Sequence, residues 1–226
     1  MVIINVLCEG PTEENFVKKV LSPYFRSMGV IVKGRQVTTN RKLKVTGGMT
    51  SYAKIKNDFE LWMKENSRDT YNHHLYTCMF DYYQLPTDFP GFPPSGNDAI
   101  SKVHYLEYQL AVDLNFFVFS PYIQLHEFEA LVFAGLEYLK IDHPDQARAI
   151  KKLEQELQQC GGKPEAVNNR PETSPSKRLI AALGKYNKPK TGPMVAERVG
   201  MVRLKLQCPH FKEWIDGLEQ MIKEIK

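Results

Sequence analysis

The chain has 226 residues, of which 42% are hydrophobic and 25% are charged, and its formal net charge is +4 at pH 7. This length suits one large α/β domain or a core with a helical appendage, and the composition is ordinary for a globular protein. No apolar stretch reaches the roughly 18 residues of a membrane span, and the N-terminus lacks the basic region and cleavage site of a secretory signal.

The first predicted element is a strand over residues 2–8, because its continuous apolar run is typical of a buried parallel strand. The strand meets Glu9 and a Gly-Pro turn, and a helix over about 12–28 follows, with Thr12 as a suitable N-cap. Glu9 thus lies at the carboxyl end of a strand, where open α/β sheets bind ligands. Glu13, in the first helical turn, either joins such a site or only favours the helix dipole.

The later pattern alternates strands and helices up to residue 123 and is helical beyond it. The predicted elements are a strand over 30–38, a basic loop over 40–48 with Arg41, Lys42 and Lys44, a helix over 51–65, a strand over 74–80, a proline-rich loop over 85–96, a helix over 99–113, a strand over 115–123, and helices over 144–159, 176–183, 193–206 and 210–226. This alternation predicts an α/β fold with a mostly parallel central sheet flanked by helices and a helical C-terminal part.

Two later strands also end in acidic residues. The strand over 74–80 meets Asp81, and the strand over 115–123 leads into His126, Glu127 and Glu129. If the strands are parallel, these carboxylates converge with Glu9 at one sheet edge, and Mg²⁺ or Mn²⁺ prefers such oxygen ligands. Two metals about 4 Å apart would clamp a phosphodiester for in-line attack. Alternatively, Glu127 and Glu129 are ordinary helix N-terminal acids, and His126 is a structural histidine rather than a ligand or base.

Charge is distributed unevenly along the chain. Residues 79–146 contain ten acids against two lysines, a net charge of −8, whereas residues 163–209 contain ten basic residues against three glutamates, a net charge of +7. Lys177 and Arg178 at a predicted helix start combine positive charge with free backbone N–H groups, which suits phosphate, and Lys188 lies in the same basic segment. The other interpretation is that the two halves attract one another or that the basic face is simply solvated.

Four scattered cysteines without Cys-x-x-Cys spacing argue against a zinc site or a disulfide framework and favour reduced thiols. The sequence therefore predicts a cytoplasmic protein that does not associate with a membrane. It also has no Gly-rich phosphate loop ending in Gly-Lys-Ser/Thr, so it is not itself a P-loop ATPase.

Three segments carry a family resemblance. The run Glu-Gly-Pro-Thr-Glu at 9–13 is similar to the first TOPRIM motif of overcoming-lysogenization-defect (OLD) type nucleases. Segments 80–86 (Phe-Asp-Tyr-Tyr-Gln-Leu-Pro) and 125–131 (Leu-His-Glu-Phe-Glu-Ala-Leu) more specifically resemble a bacterial TOPRIM-like domain family of unknown function, whose members often lie beside genes for ABC-type ATPases in phage-defence loci. The general TOPRIM match covers about the first 130 residues, and the closer resemblance covers most of the chain.

The resemblance implies a TOPRIM-like core over 1–135 with a helical extension over 136–226 packed on it. It also implies a Mg²⁺- or Mn²⁺-dependent nuclease, or another phosphodiester-cleaving enzyme, with nucleic acid and an ABC-type ATPase as partners. The candidate residues are Glu9, Asp81 and Glu127 for catalysis, Glu9, Glu13, Asp81 and Glu129 for metal binding, and Lys177, Arg178 and Lys188 for phosphate binding.

One departure from the TOPRIM pattern matters. The TOPRIM signature has two aspartates flanking one residue, but here Asp81 is followed by Tyr82 and Tyr83. Asp88, or the acids after residue 126, would then have to supply the missing ligand. The competing hypothesis is a non-catalytic TOPRIM-like module that binds an ATPase and senses nucleic acid.

Overall fold

The computed structural model describes residues 1–40, 45–168 and 171–226, so the predicted basic-loop residues Arg41, Lys42 and Lys44 lie outside the described residues. The strands are β1 (Val2–Cys8), β2 (Val30–Gln36), β3 (Thr38–Asn40), β4 (Val45–Thr46), β5 (His73–Asp81), β6 (Phe119–Ser120) and β7 (Ile123–Gln124). The helices are α1 (Pro11–Phe16), α2 (Ser22–Arg26), α3 (Tyr52–Asn66), α4 (Ala99–Leu114), α5 (Glu129–Val132), α6 (Leu136–Asp142), α7 (Ala147–Gln159), α8 (Pro175–Leu183), α9 (Lys188–Val199), α10 (Met201–Gln207) and α11 (Pro209–Ile225), with a π-helical turn (Val17–Leu21) between α1 and α2. Among the described residues, no helix combines the length and the apolar character needed to cross a membrane.

The central sheet contains β1, β2, β5, β6 and β7, and all its pairings are parallel. The order is β2-β1-β5, and both β6 and β7 pair with the other edge of β5. All seven residues of β1 are buried. This explains its continuous apolar run, because a strand that is covered on both faces has no solvent-exposed side on which polar residues would be favoured. The predicted α/β fold with a mostly parallel central sheet and a helical C-terminal part is confirmed. The short strands β3 and β4 form a separate antiparallel pair.

Side chains of the central strands alternate between two hydrophobic layers, as the two-residue period of a strand requires. Ile4 of β1 and Met79 of β5 pack with α1, α2 and the helices beyond residue 128. Leu7 of β1 and Phe80 of β5 pack with α3 and α4 on the opposite face. Because helices cover both faces, the carboxyl edge of the sheet is the place where strand ends and loops can form a site.

The single strand predicted over 115–123 is wrong. The structure has two short strands, β6 and β7, with Pro121 and Tyr122 between them. Proline has no N–H to donate to a sheet ladder, so the pairing with β5 is interrupted there. Phe117, inside the predicted strand, is fully exposed.

The single helix predicted over 193–206 is also wrong. The structure has α9 and α10, separated by Gly200 with a φ of 78°. Pro193 lies inside α9 instead of starting it, and it cannot donate to the carbonyl of Pro189 four residues earlier. The side-chain amide of Asn15 donates to that carbonyl at 2.9 Å, which replaces the lost hydrogen bond.

Trp214 attaches α11 to the sheet. Its ring stacks on Tyr122 with centroids 4.2 Å apart, and its Nε1–H donates to Thr77 Oγ1 at 2.8 Å. Ile4 of β1 and Ile215 of α11 belong to one hydrophobic cluster, so the C-terminal helix shares a core with the sheet. The domain boundary at residue 135 stays a prediction.

Replacing Trp214 with alanine should lower the free energy of unfolding by about 3–5 kcal/mol, because a large buried ring and its hydrogen bond are lost. Urea unfolding followed by circular dichroism measures the change. The control is Val202→Ala in α10, whose side chain is 83% exposed, with an expected change within about 0.5 kcal/mol. A loss for Trp214→Ala no larger than that of the control would contradict the role of this residue.

Candidate metal centre

Three strand ends place carboxylates at one edge of the sheet. Glu9 follows β1, Asp81 is the last residue of β5, and Glu127 and Glu129 follow β7. Because β1 and β7 both pair in parallel with β5, these strand ends point in the same direction. Together with Glu13 of α1, these residues are called the acidic cluster below.

Glu9 and Asp81 are direct neighbours. The N–H of Glu9 donates to the carbonyl of Met79 at 3.2 Å, and the N–H of Asp81 donates to Glu9 Oε2 at 3.1 Å. An aspartate carboxylate lies within about 4 Å of its own backbone nitrogen, so the two carboxylates lie within about 7 Å of each other. The two residues predicted to share a site are therefore close enough to do so.

The loop after β7 binds Asp81 through its backbone. The N–H of Phe128 donates to Asp81 Oδ1 at 2.8 Å. His126, two residues earlier, has a φ of 65°, the left-handed conformation that turns the chain sharply. The turn and the hydrogen bond together hold Glu127 and Glu129 beside the end of β5.

Glu127 and Glu129 are buried but held differently. Glu127 Oε2 accepts a hydrogen bond from the N–H of Ser176 at 2.9 Å, in the first turn of α8. Glu129 is 1% exposed, and its Oε2 lies 3.2 Å from Lys188 Nζ. Within the described residues, Glu129 Oε1 is buried and makes no well-formed hydrogen bond, although the nearby hydroxyl of Tyr186 is a donor directed at Glu129. A buried carboxylate oxygen without a well-formed hydrogen bond is costly and is a position that a cation would satisfy.

Glu13 joins the cluster from α1. Its Oε2 accepts a hydrogen bond from the N–H of Gly10 at 2.9 Å, so the side chain folds back over the start of its own helix. The predicted alternative, a carboxylate that favours the helix dipole, therefore also fits this position. Glu13 is only 5% exposed, which an acid with a purely surface role does not require.

The carboxyl groups of the cluster have raised pKa values. Burial raises the pKa of Glu9 from 4.5 to about 7, with repulsion from Glu129 and Glu127 adding to it. Burial and repulsion from Glu9 raise the pKa of Glu13 from 4.5 to about 8. The pKa values of Asp81 and Glu129 are raised as well, in both cases mainly by burial. At neutral pH, bound protons thus neutralise part of the negative charge of the cluster.

Lys188 at the start of α9 faces the acidic cluster. Burial lowers the pKa of its ammonium group, but the charges of Glu129, Glu127 and Asp81 outweigh burial and raise it. Lys188 was predicted to bind phosphate, and the structure shows its ammonium group paired with Glu129. One lysine cannot neutralise the whole cluster, which is why protons or cations are needed for the remaining charge.

The donor set of the acidic cluster fits a hard divalent cation, because all five side chains offer carboxylate oxygens and one of these oxygens makes no well-formed hydrogen bond to a described residue. The oxygens are not gathered as tightly as one ion requires. Among the described residues, the one group of three side chains with ligand atoms within 4.8 Å of one another is elsewhere, at His104, His210 and Glu213. Binding a cation at the acidic cluster therefore requires side-chain rotation or bridging water.

The other predicted phosphate ligands differ in their surroundings. Arg178 is paired with Glu156, and its Nε donates to the carbonyl of Thr173 at 2.7 Å, so its guanidinium is already engaged in a structural contact. Lys177 is exposed in the first turn of α8, next to the Ser176 N–H that binds Glu127.

Tyr83, at the position of the second TOPRIM aspartate, lies in a short 3₁₀ turn after β5. Its hydroxyl accepts a hydrogen bond from Asn168, whose amide also lies 3.1 Å from His126 Nδ1. These contacts favour the structural interpretation of His126. Asp88, the alternative extra ligand, accepts hydrogen bonds from the N–H of Tyr52 at the start of α3. The acids whose charges raise the pKa of Asp81, after burial, are Glu9, Glu13, Glu129 and Glu127 rather than Asp88.

Ser176 and Tyr186 also contact the acidic cluster, although no sequence pattern indicates a role for either residue there. Ser176 acts through its backbone N–H, which carries no sequence signal. The hydroxyl of Tyr186 is buried, and burial followed by the charge of Glu129 raises its pKa well above the usual value. Tyr186 stands in a loop that brings it to Glu129 only through tertiary packing.

The raised pKa values predict a stability that falls as the pH rises. Glu9 and Glu13 have pKa values of about 7 and about 8 in the folded protein, against 4.5 ordinarily, so the folded protein binds more protons than the unfolded chain. This stabilisation is fully present below pH 4.5 and is lost as the pH passes through the two folded-state values. In chelator, the free energy of unfolding should therefore fall between about pH 5 and pH 9, by up to about 3–5 kcal/mol for each carboxyl.

Urea unfolding at several pH values measures this slope, and Glu9→Gln should flatten it. Glu224→Gln, at an exposed position of α11, is the matched control and should keep the wild-type slope. Burial lowers the pKa of His210, but its hydrogen bond to Glu107 raises the pKa overall, so His210 also makes stability fall as the pH rises. This contribution is the same in the wild type and in both variants. An unchanged slope in Glu9→Gln would contradict the prediction.

The comparisons with known proteins give one result. A family model described as "Domain of unknown function (DUF4276)" matches residues 8–219, from the last residue of β1 to α11. Neither the curated proteins nor the solved structures contain a match to the chain. The resemblance to TOPRIM and OLD-type nucleases, and the metal-binding and catalytic roles of the acidic cluster, stay predictions. Because the match extends over nearly its whole length, the chain belongs to the DUF4276 family.

Proposed function

We propose that the protein is a divalent-metal-dependent enzyme that cleaves phosphodiester bonds in nucleic acid, with Mg²⁺ or Mn²⁺ as its cofactor. The observation that carries the proposal is the cluster of acids from three strand ends, in which burial raises the pKa values of Glu9, Asp81 and Glu129 and in which Glu129 Oε1 makes no well-formed hydrogen bond to a described residue. Buried like charges destabilise a fold unless they are neutralised, and such arrangements are concentrated at functional sites.

The residues proposed to hold the cation are Glu9, Asp81 and Glu129, with Glu127 or Glu13 as an auxiliary ligand. A cation bound there would stabilise the negative charge that develops on a phosphodiester during cleavage. Glu127 is bound by the backbone of α8, and Glu13 by the start of α1, so both carboxylates are oriented before any ligand arrives. Groups that are already oriented need not reorganise during the reaction, which lowers the free energy of the transition state.

Glu9 is the proposed proton-transfer group. Without a bound cation, burial raises the pKa of its carboxyl group to about 7, close to the working pH that suits a general acid or base; if Glu9 binds the cation directly, it acts as a deprotonated ligand instead. The hydrogen bond from the Asp81 N–H to Oε2 fixes its position. Lys188 is proposed to contact a phosphate oxygen, because its side chain is 41% exposed while its ammonium group faces the cluster. Exposed Lys177 would contact the neighbouring phosphate.

The second candidate is a non-catalytic module that binds an ABC-type ATPase and senses nucleic acid, in the phage-defence setting that the TOPRIM-like resemblance implies. The contacts of Tyr83 favour it, because this side chain replaces a TOPRIM aspartate and its hydroxyl is bonded to Asn168 rather than turned to a metal. Losing one acidic ligand weakens metal affinity. Under this proposal the acids would hold protons, and the basic residues would bind nucleic acid without cleaving it.

Cleavage assays separate the two candidates. Plasmid, single-stranded DNA and RNA are incubated with the full chain and Mn²⁺ or Mg²⁺, and product is quantified over time. Glu9→Gln and Asp81→Asn should reduce the rate by about 100-fold or more, because each removes a proposed ligand or proton carrier. Lys188→Ala should mainly raise KM, whereas Lys188→Arg keeps the charge and should recover part of the loss. Glu224→Gln is the control.

Absence of cleavage by the wild-type protein, alone and with an ATPase partner, would reject the enzyme and leave the binding module. Equal cleavage by the wild type and Glu9→Gln would show that the acidic cluster is not its source.

Metal binding itself is tested by thermal unfolding. A ligand that binds only the folded state stabilises it by about 2.7 kcal/mol at a hundredfold excess over Kd. Millimolar Mn²⁺ should therefore raise the melting temperature of the wild-type protein, and Asp81→Asn should abolish the rise. Asp88→Asn, outside the acidic cluster, should show the wild-type shift whatever its own starting stability. A shift that survives Asp81→Asn would place the Mn²⁺ site elsewhere.

A further inference from the structure

A second group of metal-ligand side chains lies away from the acidic cluster, between α4 and α11. It consists of His104 on α4 and of His210 and Glu213 on α11, and one ligand atom from each lies within 4.8 Å of the others. The two imidazole rings have centroids 5.0 Å apart. His104 Nε2 is 3.1 Å from Glu213 Oε2, and His210 Nδ1 is 3.8 Å from the same oxygen. Three side chains able to bind a metal are thus gathered from two helices.

His210 is oriented by contacts on its far side. Its Nε2 lies 3.0 Å from Glu107 Oε1 and 3.2 Å from the carbonyl oxygen of Ile123, and both are acceptors. Nε2 must therefore carry a proton. The ring also stacks on Tyr122 with centroids 5.1 Å apart and 24° between the planes. The orientation of the imidazole, and hence the direction of Nδ1, is determined by this packing.

The other ring nitrogen of His210 is unsatisfied. His210 is 3% exposed, and Nδ1 is buried with no hydrogen-bond partner among the described residues. Its distance to Glu213 is too long for a hydrogen bond. Because Nε2 carries the proton and donates a hydrogen bond to Glu107, Nδ1 of the neutral ring has a lone pair, which faces Glu213 and His104. A carboxylate that binds the far nitrogen of a histidine is the usual outer partner of a metal-ligating imidazole.

We propose that His104 Nε2, His210 Nδ1 and a Glu213 oxygen bind a transition-metal dication of the Zn²⁺ class, with Glu107 as the positioning residue behind His210. Two imidazole nitrogens and one carboxylate are ligands that suit Zn²⁺ and not the oxygen-preferring Mg²⁺. The side chains of His104 and Glu213 are 47% and 61% exposed, so water can reach a fourth coordination position and the ion has an entry path. The site joins α4, which covers the sheet, to the C-terminal helix.

The competing state is an ion pair without metal. Burial lowers the pKa of His210, but the hydrogen bond and charge of Glu107 outweigh burial and raise it. A protonated His210 would face Glu213 as an imidazolium, and His104 would pair with the same carboxylate. Both states use the same residues, so they are separated only by adding the metal.

The test uses the full chain, freed of metal with a chelator and dialysed. Zn²⁺ binding is measured by titration calorimetry, and Co²⁺ is added as a spectroscopic substitute whose visible absorption reports the coordination geometry. One equivalent of Zn²⁺ should bind, and Co²⁺ should give a spectrum of nitrogen and oxygen ligation in a site of low coordination number. His104→Ala and Glu213→Gln, both at exposed positions, should each weaken Zn²⁺ binding by about tenfold or more, and Glu107→Gln should weaken it by about 10–100-fold.

Two control variants locate the site. His73→Ala removes an exposed histidine at the start of β5 and should leave Zn²⁺ affinity unchanged. Asp81→Asn alters the acidic cluster and should also leave it unchanged, so the result is independent of the proposed nuclease function. Failure to bind one equivalent of Zn²⁺, or binding that survives His104→Ala and Glu213→Gln, would overturn the proposal in favour of the ion pair.

Discussion

Four backbone N–H groups hold four carboxylates, three of them buried and that of Glu9 half-buried, and the arrangement of the sheet edge depends on these bonds. The N–H of Asp81 binds Glu9, that of Phe128 binds Asp81, that of Gly10 binds Glu13, and that of Ser176 binds Glu127. Each bond joins a carboxylate to a strand end or a helix start, where backbone donors have no partner within their own element. The carboxylates therefore satisfy donors that the fold leaves free, and the donors make burial of the acids tolerable.

Glu129 is the exception among these acids, because no backbone N–H holds its carboxylate. Its Oε2 is paired with Lys188, while Oε1 makes no well-formed hydrogen bond in the described part of the chain. Raised pKa values show the cost of gathering these acids, because burial favours the neutral form of each. A cation and a proton are alternative ways to remove the same charge. Under the proposed function, pH and metal concentration would therefore act on this edge together.

The two candidate metal centres differ in chemistry because they differ in the elements that build them. Strand ends and loops deliver carboxylates to the acidic cluster, so its donors are oxygen atoms only. Helices α4 and α11 deliver His104, His210 and Glu213 from their surfaces, so that group is rich in nitrogen. Hard and borderline cations would thus be sorted by ligand type rather than by affinity alone. Their placement on different parts of the fold allows each to be altered without the other.

The sequence by itself determined the α/β class and the convergence of Glu9, Asp81, Glu127 and Glu129, because continuous apolar runs are typical of buried parallel strands, and the carboxyl ends of parallel strands meet at one sheet edge. Predictions from local sequence were wrong for the strand around Pro121 and for the helix around Pro193. In the first case a missing N–H interrupts the pairing, and in the second Asn15, distant in sequence, replaces the lost bond. Only the tertiary structure decided that Arg178 pairs with Glu156, that Lys188 faces Glu129, and that His104 meets His210. Such contacts join residues far apart in the chain, and their partners follow from how helices pack on the sheet rather than from any local pattern.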